Sequence, residues 1–177
     1  KKLTTIFSSV FISLFAIFIL LLFIVWNFVL DLPDHEQLIN YEPPMVTRVY
    51  ASDGRLISEY AAEQRSFVPL GSIPKIVINS FLAAEDKNFY DHIGIDFTSI
   101  IRALKRNINN LGGRPEGAST ITQQVAKNFF LSREISYKRK VKEILLALRI
   151  EQILEKDRIL ELYLNQIYLG FRSYGVA

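Results

Sequence analysis

The 177 residues carry 21 Lys and Arg against 18 Asp and Glu, for a net charge of +3, and contain no cysteine. This length allows one domain with its own core plus an appendage. The absence of thiols excludes disulfide staples and cysteine nucleophiles, and two histidines are too few for most zinc enzymes.

The appendage comes first. After a tail at 1–4, the span 5–30 lies inside a run from Leu3 to Leu30 that has no charged residue. A hydrocarbon layer about 30 Å thick needs roughly 20 helical residues, so this run predicts a single transmembrane helix. A cleaved signal peptide would have a shorter core and a small-residue exit, and neither is present. Trp26 falls near the outer end, where an amphipathic ring favours the interface. Lys1 and Lys2 precede the span and Asp31, Asp34 and Glu36 follow it. The positive flank stays in the cytoplasm, so everything downstream is expected outside.

Residues 31–46, with prolines at 33, 43 and 44, read as a linker to a domain over 47–177. Val46 to Tyr60 alternates around Asp53-Gly54, which predicts two short strands and a tight turn. From Ser72 onward the pattern is helical to the end. Ser72 is expected to cap a helix running to about Ala84, with Pro74 in its first turn. Asp96 caps the next, whose Phe97, Ile101, Leu104 and Ile108 recur at helical spacing. A loop over Asn109–Glu116 follows. Thr120 and Gln123 fit a capping box opening a helix to about Phe130. Longer helices are expected over Ser136–Leu154 and from Asp157 to Tyr168. The fold class is therefore mainly α with a small β element, preceded by one transmembrane helix.

Three segments carry residues able to do chemistry. Glu85 and Asp86 stand where the first soluble helix ends, among Phe81, Leu82, Phe89 and Tyr90. A carboxyl so surrounded is desolvated, which suits a proton acceptor; an exposed pair that merely caps turns is equally consistent. His92 before Gly94 reads as ordering the turn. Ser119, Thr120, Gln123 and Gln124 put neutral donors at a helix N-terminus, a natural anion site, and Lys127 adds a cation one turn on. Capping accounts for Thr120 and Gln123 but not for Gln124 and Lys127. Glu143 shares a helix face with Ala147, Ile150 and Leu154, opposite a stripe of Val141, Ile144, Leu145 and Leu148 expected to form the main core. A carboxylate there is either paired with Lys140, three residues back and flanked by Arg139, or functional.

Charge supports an anionic ligand. Residues 31–98 hold five basic and eleven acidic side chains, 99–142 hold ten and two, and 143–177 hold four and five. The basic block is either a groove for an anion or a solvated helix face. A membrane-tethered chain facing outward meets lipid phosphate in place of nucleic acid.

The segment Glu85-Asp-Lys-Asn-Phe-Tyr-Asp-His-Ile-Gly-Ile-Asp96 resembles the first signature of the peptidoglycan glycosyltransferase family, the lysozyme-like transferases of class A penicillin-binding proteins. Gly117 to Gln124 resembles the second signature, Arg139-Lys140-x-x-Glu143 the third, and Lys156 to Asn165 the fourth. Gly175-Val176-Ala177 resembles the opening of the fifth, and Ile167 to Val176 looks most like the 1A type of Gram-negative bacteria. The resemblance implies a lysozyme-like glycosyltransferase domain polymerising lipid II onto a growing glycan, with release of undecaprenyl pyrophosphate. It implies Glu85 as general base and Glu143 as the second essential glutamate on the donor side. Asp86, Ser119, Thr120, Gln123, Gln124, Lys127, Arg139 and Lys140 match positions at the substrate, while Asn165 and its helix match scaffold. No cofactor is required, although some relatives place Mg or Mn at the pyrophosphate. Partners would be lipid II, the glycan strand, membrane lipid and cell-wall synthesis and regulatory proteins, at the bacterial inner membrane with the domain periplasmic. The transpeptidase domain and most of the fifth signature are absent from these residues, which read as a fragment. Two rival functions stand beside this one: a lytic lysozyme-like enzyme, which has no use for a pyrophosphate cradle, and a non-catalytic membrane scaffold.

Overall fold

Helix α1 (Lys2–Leu30) is one uninterrupted helix of 29 residues, about 43 Å long at 1.5 Å per residue. Near its end, Asn27 donates its side-chain amide back to the Phe23 carbonyl at 2.8 Å, which satisfies that polar group within the helix. The computed structural model describes residues 2–34, 38–39, 41, 47–60, 64–65, 67–110, 117–132, 134, 136–170 and 173–176. Counted over the described residues alone, with the side chains of 2–6, 8–10, 21, 24 and 25 outside that set, no helix is long and apolar enough to cross a membrane. The chain divides into two compact units, Lys1–Pro33 and Asp34–Ala177.

The second unit opens with the predicted hairpin. β1 (Thr47–Tyr50) pairs antiparallel with β2 (Leu56–Tyr60), with a bulge at Val49/Tyr50. Gly54 at φ +81° supplies the left-handed residue of the turn. A second sheet was not foreseen: β3 (Gln64–Arg65) lies parallel to β5 (Ser173–Tyr174), which pairs antiparallel with β4 (Tyr168–Gly170). The helical pattern therefore stops at Gln166, short of the chain end.

Five helices carry the rest: α2 (Lys75–Glu85), α3 (Phe97–Asn109), α4 (Ile121–Phe130), α5 (Tyr137–Ile153) and α6 (Lys156–Gln166). Three start where the sequence indicates. Asp96 accepts from the Ser99 amide, Thr120 and Gln123 form the capping box, and Ser136 accepts from the Arg139 amide. The start of α2 differs. Ser72 closes a 3₁₀ turn (Leu70–Ser72), and Pro74 is the N-cap with no side-chain bond. The glycine-bearing connection at 111–116 and Pro43-Pro44 in the linker lie outside the described residues.

The core is built by α4 packing against both α5 and α6. Ile121, Val125, Ala126, Leu146, Ala147, Ile150, Ile159, Leu160 and Leu164 are all sealed from solvent. On α5 this corrects the expected core stripe. The buried face is that of Glu143, Leu146, Ala147 and Ile150, while Val141 is exposed and Ile144, Leu145 and Leu148 are half-buried. Within the stretch read as linker, Leu38 is buried and the Tyr41 ring meets Phe129 edge-on at 4.8 Å.

Candidate active site

The end of α2 separates two adjacent carboxylates. Glu85 is the last helical residue, and Asp86 swings to an extended φ of −155° while its amide still bonds the Leu82 carbonyl. Glu85 therefore stays exposed, and its Oε2 accepts from Gln124 Nε2 at 2.8 Å. Asp86 turns inward and is only 6% exposed. Its Oδ2 accepts from the Ile121 amide and from His92 Nε2, both at 2.9 Å. His92 Nδ1 accepts from the Gly94 amide at 3.0 Å, which places the hydrogen of a neutral ring on Nε2, toward Asp86. Of the two carboxyls weighed as desolvated or exposed, Asp86 is the buried one and Glu85 the exposed one, and His92 orders the turn.

That geometry changes the reading of the α4 N-terminus. A helix start is an anion site because its first amides lack partners. Here Asp86 fills the place with the protein's own negative charge on the Ile121 amide, and Thr120 Oγ1 takes the Gln123 amide at 3.2 Å. Gln123 Oε1 returns a bond to the Thr120 amide at 3.1 Å, and Thr120 Oγ1 donates to the Gly94 carbonyl at 2.7 Å. Thr120 and Gln123 are buried and spend these polar groups on each other and on Gly94. Gly94 sits at φ +97°, where an added Cβ would fall 2.9 Å from the Ala147 carbonyl, so only glycine lets this turn reach α5. The polar side chains beside α4 that this end does not use are Ser119, Gln124 and Lys127, each half-buried.

The start of α5 closes on the same region. Lys140 Nζ donates to Ser119 Oγ at 2.8 Å and to Glu143 Oε1. Glu143 is 3% exposed, so its charge is carried by this partner. Arg139 Nε is buried without a hydrogen-bond partner. Such an orphaned donor is costly unless something outside the chain accepts from it. Lys127 makes no side-chain hydrogen bond or ion pair among the described residues.

Of the residues singled out from sequence, the fold joins Glu85 to Gln124, Ser119 to Lys140 and Glu143, and Asp86 to the α4 amide. It does not bond Lys127 or Arg139 to any of them. Glu85 is thus bonded directly to the stretch Ser119–Gln124, through Gln124, and Glu143 is linked to it through Lys140, which bonds both Glu143 and Ser119. One core residue was passed over: Tyr163 on α6, fully buried, with a hydroxyl that has no hydrogen-bond partner. Its apolar helical periodicity marks it only as core, and nothing local in the sequence distinguishes it. Among the described residues no group of three or more His, Asp or Glu side chains is placed to hold a metal ion.

The fold and the site define a class. Residues 53–177 match the family described as Transglycosylase, and the chain belongs to that family. It is 52% identical over 174 residues to penicillin-binding protein 1A of Rickettsia typhi, an alignment covering 94% of this chain and 22% of that protein. Penicillin-binding protein 1A of Rickettsia prowazekii is 51% identical over 180 residues, covering 97% of this chain and 23% of the relative. The protein of the same name from Neisseria lactamica is 48% identical over 178 residues, covering 100% and 22%. The chain thus spans just over a fifth of the length of the curated relatives it matches.

Proposed function

We propose that this chain is the glycan-polymerising part of a penicillin-binding protein of the 1A kind. It joins lipid II to a growing peptidoglycan strand and releases undecaprenyl pyrophosphate. The observation that carries this reading is that two carboxylates are tied to one stretch of chain: exposed Glu85 directly to Gln124, and buried Glu143 through Lys140, which also bonds Ser119. Family membership and the likeness to penicillin-binding proteins 1A support it.

Glu85 takes the proton from the acceptor sugar 4-hydroxyl as that oxygen attacks the anomeric carbon of the donor. The bond from that carbon to the pyrophosphate oxygen breaks with inversion, and the charge that develops on the leaving group needs cations. Lys140, steadied by Glu143 and Ser119, faces this task together with Lys127 and the unpaired Nε of Arg139. These cations supply the electrostatic stabilisation without a resident cofactor. A divalent metal at the pyrophosphate would add to it, and polymerisation in chelator measures how much.

α1, uncharged from Leu3 to Leu30, anchors the chain by crossing the inner membrane with its N-terminus cytoplasmic, which puts the domain in the periplasm. α3 adds a second lipid contact. Phe97, Ile101, Leu104 and Ile108 lie on one face and are each 56–63% exposed, an arrangement suited to the boundary of a bilayer.

The test uses the full-length protein with lipid II and, separately, with purified glycan strands. Wild type is expected to extend glycan from lipid II. Glu85→Gln is expected to lose roughly 100-fold or more with unchanged helicity, the range for removing a general base. Strand cleavage without polymerisation, or a fully active Glu85→Gln, overturns the reading.

A further inference from the structure

Tyr163 is 1% exposed, and its hydroxyl is buried with no hydrogen-bond partner. A purely structural aromatic at this place on α6 would be served better by phenylalanine, because an unsatisfied buried O–H is a net cost. The ring is held edge-on against Phe81 at 6.1 Å between centroids. Phe81 and Glu85 are one turn apart on the same face of α2, so the phenol is held on the face of α2 that carries Glu85. The two groups also act on each other electrically. Burial raises the phenol pKa, and the negative charge of Glu85 raises it further. Glu85 itself is exposed and bonded only through Oε2 among the contacts described, so its carboxylate is free to turn.

We propose that Tyr163 is a positioning residue for Glu85. Its O–H is the donor that holds one carboxylate oxygen of Glu85 while the other faces the acceptor hydroxyl. A carboxylate that removes a proton needs one oxygen directed at that proton and the other fixed, and Gln124 fixes it in the resting arrangement. Gln124 projects from the stretch that receives the substrate, so its amide is drawn toward the sugar. The phenol, rooted in the core, does not move with it. This inference rests on the proposed role of Glu85.

The experiment compares wild type, Tyr163→Phe, Glu85→Asp and the double variant in the full-length protein, measuring kcat and KM for lipid II together with Tm. Tyr163→Phe is expected to lower kcat about tenfold, the loss of a hydrogen bond to a charged group. KM should stay within about twofold, and Tm should be unchanged or raised because the orphaned hydroxyl is gone. On the Glu85→Asp background, where the shortened side chain no longer reaches the phenol, the same change should cost nothing further. An unchanged kcat, an equal loss in both backgrounds, or a lowered Tm overturns the proposal. Wild-type protein that makes no polymer overturns the reading of Glu85 as well, and that outcome is distinct from the other three.

Discussion

Two adjacent carboxylates at the end of α2 do different work because the chain turns between them. Asp86 neutralises the start of α4 and holds His92, so Asp86→Asn is expected to cost about 1–3 kcal/mol in urea unfolding. Glu85→Gln, at an exposed position, should leave stability unchanged. Lys140→Ala and Gln124→Ala are expected to weaken binding of a lipid pyrophosphate, read by titration calorimetry; unchanged affinity would refute the cradle. Asp96 gives a pH dependence. Burial would raise its carboxyl pKa, but hydrogen bonds from Ser99, Thr98 and Asn88 outweigh it and hold the value well below the usual range. A group depressed in the folded state stabilises above its unfolded pKa of about 3.9 and loses that contribution as pH falls through the folded value. The stability gap between wild type and Asp96→Asn should therefore be full at neutral pH and shrink below about pH 4. Sequence identified this carboxylate pair but could not say which member is buried. Whether residue 85 or 86 turns inward depends on where α2 stops, and a helix end is uncertain by a residue or two from pattern alone.

At the scale of elements, α6 fastens the irregular chain ahead of α2. Asn165 donates to the Val68 carbonyl at 2.9 Å and accepts from the Val68 amide at 2.8 Å, closing both groups of one residue. Glu161 takes the Leu70 amide at 2.8 Å. Asn165→Ala leaves the half-buried Val68 peptide groups without these partners and should cost about 1–3 kcal/mol, with faster hydrogen exchange at the Val68 amide as its local sign. The caps at Asp96, Thr120 and Ser136 were legible because a cap and its partner are three residues apart. β3 and β5 were not, because two-residue strands 109 positions apart leave no periodic trace. On α5 the sequence presents two apolar stripes, and only contact with α4 decides which one is buried. Signature Glu143 lies on that buried stripe, so its pairing with Lys140 was legible and its depth was not.

For the whole molecule, the large apolar side chains left exposed on α3 need a destination, and none is visible among the described residues. A fluorophore sensitive to polarity placed at Leu104 in proteoliposomes is expected to shift to the blue and to be quenched by brominated lipid. The same label at Asn109, off the apolar face, should respond to neither. Equal responses at both sites would remove the case for a lipid contact by α3. The long apolar helix α1 was legible from composition, and the exposed apolar face of α3 emerges only from the structure.

The carboxylate of Asp86 at the head of α4 has one more consequence. A helix end left bare attracts any small anion, and free orthophosphate or sulfate would then compete with the true ligand. With that end permanently neutralised, the positive charge offered to an incoming group resides on the side-chain tips of Lys140, Lys127 and Arg139. Under the proposed function, discrimination against the inorganic anions of the surrounding medium would therefore fall to those side chains and not to the helix end.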